Sequence, residues 1–373
     1  MAFDLESLRL IWWCILGLVM IGLALSEGLT LGVCMLLPFL GGTETERQSL
    51  IKVIAPLNLS NLAWLIVLVA ITFSAWSVVY AVSLASFYPL LFLILLALLL
   101  RPIALYGFGA DMSDQWQQYV KKVLIISGVI PAALLGLLVG NLLKGIPFHL
   151  ESDMQIRFLG DFGGLFNLFS ILVALTCLAL LAMYGAVFLQ LRTRDELQQN
   201  ARAMVIRTGA LFLILFAMTG LWITHLEGYH ISSEILPDAV SNPLAKFVKR
   251  GEGLWLDNYE HLPELWVIPA LAFIGGGLTL WFAKSHKAYW AMLASVLSVI
   301  MVVLTFGISM FPFLVPSNIS LNSSLTVWDS SASELNLRLL LWVAVFALPV
   351  MAVCSRWLFR VFADETKQAY SIE

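Results

Sequence analysis

Long apolar runs separated by short polar connections set the pattern of this chain. Crossing a hydrocarbon core takes an apolar helix of about 20 residues. Nine runs meet that length, over roughly 8–37, 62–81, 84–105, 120–143, 165–189, 205–224, 265–282, 288–311 and 339–362. The pattern therefore predicts an all-α integral membrane fold with about nine transmembrane helices, forming a single membrane domain over residues 1–373. The first run is long enough to need tilt. The start of the second is open, because Lys52–Ser60 holds Pro56 and two Asn-Leu steps.

Composition agrees. The chain is 60% hydrophobic and 12% charged, against roughly 25% charged for a soluble domain. Too few charges remain to clothe a soluble surface of this size. A net charge of -3 argues against nucleic acid as a partner. The four cysteines, Cys14, Cys34, Cys177 and Cys354, lie in apolar runs without a C-x-x-C pair and read as small hydrophobes. Asp4 and Glu6 stand where a signal peptide would be basic, so no cleaved leader is expected.

Loop charges predict orientation. With the N-terminus outside, 14 of the 21 Lys and Arg fall inside, four of them between Arg192 and Arg207. The expectation is a periplasmic N-terminus and a cytoplasmic C-terminus in a bacterial inner membrane. The two largest polar connections, Glu227–Glu264 and Pro312–Arg338, then lie outside. The first, with seven acids, is long enough to suggest a functional loop or one that docks on a partner. Trp328 in the second reads as a structural interfacial anchor.

Chemistry at membrane depth is sparse. His149, His225, His230, His261 and His286 all sit in loops or at helix ends, so no haem held by this chain's own His ligands is expected within the membrane. No His/Cys cluster has zinc spacing, and no metal or catalytic site is expected. Walker, G-x-S-x-G and dinucleotide fingerprints are missing too, which argues against a self-contained active site. A charge in a span costs at least about 2.5 kcal/mol, so the few that occur carry information. Glu27 lies inside the first run without a basic neighbour in sequence. It is protonated, paired with another helix or partner, or lining water, with a proton path and a structural hydrogen bond equally open. Arg101 ends the third run and reads as structural, with its head snorkelling to the surface. Asn58, Ser60, Asn61, Asn141 and Asn167 suit hydrogen bonds between helices.

Several short motifs occur together. Leu8-Arg9-Leu10-Ile11-Trp12-Trp13 is followed by Gly17, Gly22, Glu27-Gly28 and Gly32. Then come Asn141-Leu142-Leu143-Lys144-Gly145-Ile146-Pro147-Phe148, Ser241-Asn242-Pro243-Leu244 and Leu265-Trp266-Val267-Ile268-Pro269. Gly307-Ile308-Ser309-Met310-Phe311-Pro312-Phe313 and Ser324-Leu325-Thr326-Val327-Trp328-Asp329 complete the series. In this order they resemble subunit II of cytochrome bd quinol oxidase, proteobacterial type, over nearly the whole chain.

The resemblance implies two four-helix bundles plus one more helix, and an accessory role beside a haem-bearing subunit I that carries haems b and d. It implies electron transfer from quinol to oxygen by the complex, and a role for this subunit in proton or oxygen access. It leaves open a structural quinone and a small single-helix subunit as further partners beside membrane lipid. The proton-path candidates are Glu27, Thr30, Ser60 and Asn61, and the oxygen-access candidate is Trp64. The family's further acids are missing: Thr30, Leu59 and Tyr106 stand where an acid is common, which puts the proton path in doubt. A secondary transporter is the alternative from another class. Pro131, Gly136, Gly140 and Gly275-Gly276-Gly277 favour it, though they do not form matching halves. A degenerate, scaffold-only paralogue is the third reading.

Overall fold

The structure, a computed structural model, describes residues 4–40, 50–51, 54–55, 58–106 and 113–370, without the side chains of residues 59, 60, 106, 114, 355, 356 and 358–370. Among the described residues nine long helices follow the nine apolar runs. They are α1 (Leu5–Leu40), α2 (Asn58–Ala75), α3 (Ser77–Tyr106), α4 (Asp114–Lys144), α5 (Leu168–Arg192), α6 (Asp195–Ile223), α7 (Val267–Lys284), α8 (Ala288–Met310) and α9 (Glu334–Tyr370). Eight are long and apolar enough to span a bilayer, and Asn61–Ala75 in α2 is a shorter apolar helix. The chain is a multi-pass membrane protein.

The boundary between the second and third helices departs from the expected one. It falls at Trp76, not near residue 82. Trp76 closes α2 with its N–H on the Thr72 carbonyl, and its own carbonyl already accepts from Tyr80 N–H. One residue serves both helices, so no polar connection marks the change. Ala332 N–H caps the Ala75 carbonyl from the far end of the sequence.

Helices α1–α4 form one group and α5–α8 a second, joined by α4 lying along α5 and by α1 lying along α5 and α8. Helix α9 packs outside, against α1 and α2. This is the expected pair of four-helix bundles with one additional helix. The groups meet by close backbone approach, as membrane helices do through small residues. A Cβ on Gly32 of α1 would sit 2.1 Å from the Leu181 carbonyl oxygen of α5, and one on Gly185 of α5 would sit 2.5 Å from the Gly32 carbonyl carbon. On another side of α1, a Cβ on Gly128 of α4 would meet Cys34 Cβ at 2.7 Å.

The longer connections close one end of the molecule. Each contributes a two-stranded antiparallel hairpin: β1 (Phe148–Leu150) with β2 (Ile156–Phe158), β3 (Glu227–Ile231) with β4 (Val248–Glu252), and β5 (Phe313–Val315) with β6 (Leu325–Thr326). They are stitched together. Ile146 N–H donates to the Pro316 carbonyl, Asn318 N–H donates to the Ile146 carbonyl, and Val248 N–H donates to Asn322 Oδ1. Trp255 Nε1 and the Tyr229 hydroxyl reach the Leu143 and Lys144 carbonyls at the end of α4. That helix stops at Gly145, whose φ of 85° suits glycine, and a Cβ there would meet the Tyr229 hydroxyl at 2.0 Å.

Candidate functional site

Glu27 and Thr30 lie three residues apart on α1 and so share a face. Opposite them, α2 contributes Asn61, α3 contributes Arg101 and α4 contributes Ser127, all buried. Arg101 Nη1 donates to Glu27 Oε1 at 2.6 Å. Arg101 Nη2 donates to the Ser127 carbonyl at 2.7 Å and Nε to Ser127 Oγ at 3.4 Å. Ser127 Oγ in turn donates to the Leu124 carbonyl. Asn61 Nδ2 donates to Thr30 Oγ1 at 2.7 Å, and its amide also neighbours the Glu27 carboxylate. Asn61 Oδ1 is buried without a partner among the described residues.

Arg101 therefore does not snorkel. Its side chain is 1% exposed and that of Glu27 is 8% exposed. Three of the five guanidinium N–H donors find oxygens inside the bundle, which is the condition for keeping a cation there. Among the described residues this is the one ion pair that joins two long helices.

The other anticipated residues have definite places. Trp64 on α2 lies over Gly22 of α1, where a Cβ would meet its ring at 2.2 Å. Asn141 Nδ2 donates to the Leu137 and Leu165 carbonyls, and its Oδ1 accepts from Asn167 Nδ2, tying α4 to the start of α5. Trp328 packs edge-on to Phe311 at 5.9 Å, and Phe311 in turn meets Trp13. It is half-buried against its own chain. The Ser60, Leu59 and Tyr106 side chains lie outside the described residues. All five histidines lie outside the nine long helices.

Residues 8–362 match the family described as cytochrome bd terminal oxidase subunit II. The chain belongs to that family. It is 36% identical to cytochrome bd-I ubiquinol oxidase subunit 2 of Escherichia coli K12 over 367 residues, covering 98% of this chain and 97% of that protein. A probable cytochrome oxidase subunit 2 of Haemophilus influenzae is also 36% identical, with 95% of this chain and 94% of that protein covered. The fold matches a chain of the bd oxidase from Geobacillus thermodenitrificans with a TM-score of 0.69 at 16% identity, covering 95% and 98% of the two chains. Membership of the subunit II family sets the transporter reading aside.

Within this subunit II chain, sequence reasoning missed a second polar assembly, at the capped end. Arg9, counted only as a loop charge, is fully buried. It donates to Ser331 Oγ at 2.8 Å, to the Ala239 carbonyl at 3.0 Å, to Ser241 Oγ at 2.9 Å and to the Pro237 carbonyl. Lys246 Nζ pairs with Asp329 Oδ2 at 2.8 Å and also donates to the Pro243 carbonyl. Burial holds the Lys246 ammonium below its usual pKa, and the Asp329 carboxylate opposes that shift. Through these contacts the Ser241-Asn242-Pro243 part of the Glu227–Glu264 connection packs onto its own chain. Cationic residues in an Arg-Leu-Ile-Trp-Trp opening and beside Ser-Asn-Pro were the available signals.

Proposed function

We propose that the chain is the haem-free accessory subunit of a respiratory quinol:oxygen oxidoreductase, completing and stabilising a haem-bearing subunit I in the bacterial inner membrane. Its N-terminus is periplasmic and its C-terminus cytoplasmic. The haems b and d belong to the partner, and this chain contributes no self-contained active site.

The observation that carries a more specific role is the buried pair of Glu27 and Arg101 with Asn61 and Thr30 beside it. An apolar pair would fill the same space without desolvating two charges, which favours a role beyond packing for this carboxylate. We assign the cluster to proton access toward the partner. Glu27 takes and releases the proton, and Arg101 holds its carboxylate in place. Thr30 and Asn61, with its unpartnered Oδ1, supply hydroxyl and amide groups along the route. Trp64, pressed on Gly22, fills the α1–α2 contact, and oxygen access past it is the secondary assignment.

The test is turnover of the intact complex. The tagged chain is purified in mild detergent with its partner, and a reduced-minus-oxidised spectrum is recorded before quinol oxidase activity. Glu27→Gln is expected to keep the haem spectrum while turnover and proton release fall. Unchanged turnover would assign Glu27 to structure and leave a scaffolding subunit. A chain that purifies without any haem-bearing partner would sink the oxidase assignment itself.

A further inference from the structure

At the end of the molecule opposite the cap, two connections are tight turns. Helix α5 ends at Arg192 and α6 begins at Asp195, while α7 ends at Lys284 and α8 begins at Ala288. Hydrogen bonds bring the two turns together. Gln190 Nε2 donates to the Ala283 carbonyl at 3.2 Å, and Gln198 Nε2 donates to the Gln190 and Thr193 carbonyls. Across the join, Arg202 Nη1 lies 3.3 Å from His286 Nε2, with Lys284 and Lys287 exposed beside it.

Two features make this face unlike an ordinary charged surface. First, the cations at and near the join lack salt-bridge partners among the described residues. Among the described residues Arg194, Arg202, Arg207, Lys284 and Lys287 form no salt bridge, and Arg202 Nε is buried without a partner. The acids of the α6 first turn, Asp195 and Glu196, stand about 10 Å along the helix from Arg202 and do not pair with it. Second, exposed aromatics flank the cations. Trp281, Tyr289 and Trp290 are 58%, 61% and 54% exposed, and Phe282 links Trp281 to Trp290 through ring contacts. Exposed Trp and Tyr at helix ends mark the headgroup level of a bilayer, and unpaired Lys and Arg between helices at that level suit lipid phosphate.

We propose that this face, centred on Arg202, His286 and Lys287, binds the headgroup of an anionic phospholipid. The lipid phosphate occupies the join between the two turns and accepts from Arg202 and Lys287. Trp281 and Trp290 hold the glycerol level, and the acyl chains run along α7 and α8. This inference rests on the membrane fold alone and is independent of the oxidase role.

The experiment uses the purified complex, stripped of lipid and then supplied with phosphatidylglycerol, cardiolipin or phosphatidylcholine. Native mass spectrometry counts retained lipid, and thermal unfolding reads stabilisation. Each basic group near an anionic headgroup contributes about fivefold in affinity, so Arg202→Gln with Lys287→Gln is expected to weaken anionic lipid retention roughly 25-fold. Arg202→Lys is expected to keep most of it, and Lys249→Gln at the capped end all of it. Equal retention of phosphatidylcholine, or an unchanged double variant, would overturn the proposal. Displacement of the lipid by millimolar inorganic phosphate would replace it with a free-anion site. Crosslinks from Lys287 that reach only an acidic stretch of the partner protein would replace it with a protein contact.

Discussion

The Glu27–Arg101 pair makes a quantitative prediction about how the bundle is held. Glu27→Gln leaves a guanidinium at 1% exposure without a counter-charge, with only a neutral amide oxygen and the Ser127 oxygens to donate to. At about 4 Å between charge centres and an effective dielectric near 20, the lost attraction is about 4 kcal/mol. Breaking a buried pair from one side costs about 3–5 kcal/mol by the same logic. Arg101→Met is expected to cost less, because a carboxyl can shed its charge by taking a proton and a guanidinium cannot. The double variant Glu27→Gln with Arg101→Met removes both charges together, so it should cost no more than the worse single change. The assay is a double-mutant cycle on the purified complex, titrated with SDS in mixed micelles and followed by tryptophan fluorescence. A coupling of about 2 kcal/mol or more is expected. If the two single costs add to the double within about 0.5 kcal/mol, the residues do not act as a pair and the cluster described above is wrong.

Three further outcomes follow from the packing and the cap. Gly32→Ala should destabilise the complex by about 1–3 kcal/mol or more, since its Cβ meets backbone, whereas Gly17→Ala should be silent because nothing lies within 4 Å; thermal unfolding of both variants checks this. Burial raises the Tyr229 phenol from 10.0 to about 12. Its contribution to the cap, roughly 3 kcal/mol, is complete below pH 10, where folded and unfolded forms both keep the proton, and is lost as pH rises toward 12. Trp255 fluorescence should therefore change over that window in the wild type and not in Tyr229→Phe; superimposed curves would refute it. Arg9→Met should open the 232–247 segment to limited proteolysis without altering cleavage elsewhere, as it removes the bonds to Pro237, Ala239, Ser241 and Ser331.

The helices were legible because spanning a bilayer demands runs whose length and apolarity leave little freedom. The α2–α3 boundary was not, because Ala75-Trp76-Ser77 has no Gly, Pro or charge to mark it and the break is stabilised by Ala332, far along the chain. Glu27 was recognisable as costly at its depth, but its partner lies 74 residues away on another helix, and no helical periodicity links positions that far apart. Arg101 looked like a snorkelling cation because its position at a run's end fits that picture as well as it fits a buried pair. Arg9 and Lys246 were hidden for the opposite reason: charges in loops are expected to face water, and only the folded cap shows them turned inward.

The clasp around Arg9 also dictates when the molecule can be finished. The oxygens it holds are contributed 228 to 322 residues later in the chain. At ribosomal rates of roughly 5–20 residues per second, Ser331 emerges about 15–65 s after Arg9. Until then the Arg9 guanidinium has none of these partners, and a cation without them favours water over hydrocarbon. The cap closes only when the last long connection arrives, so the chain's earliest charged anchor is among its last contacts to be made. Truncated products would carry an unsealed α1, giving quality control a clear mark of incompleteness.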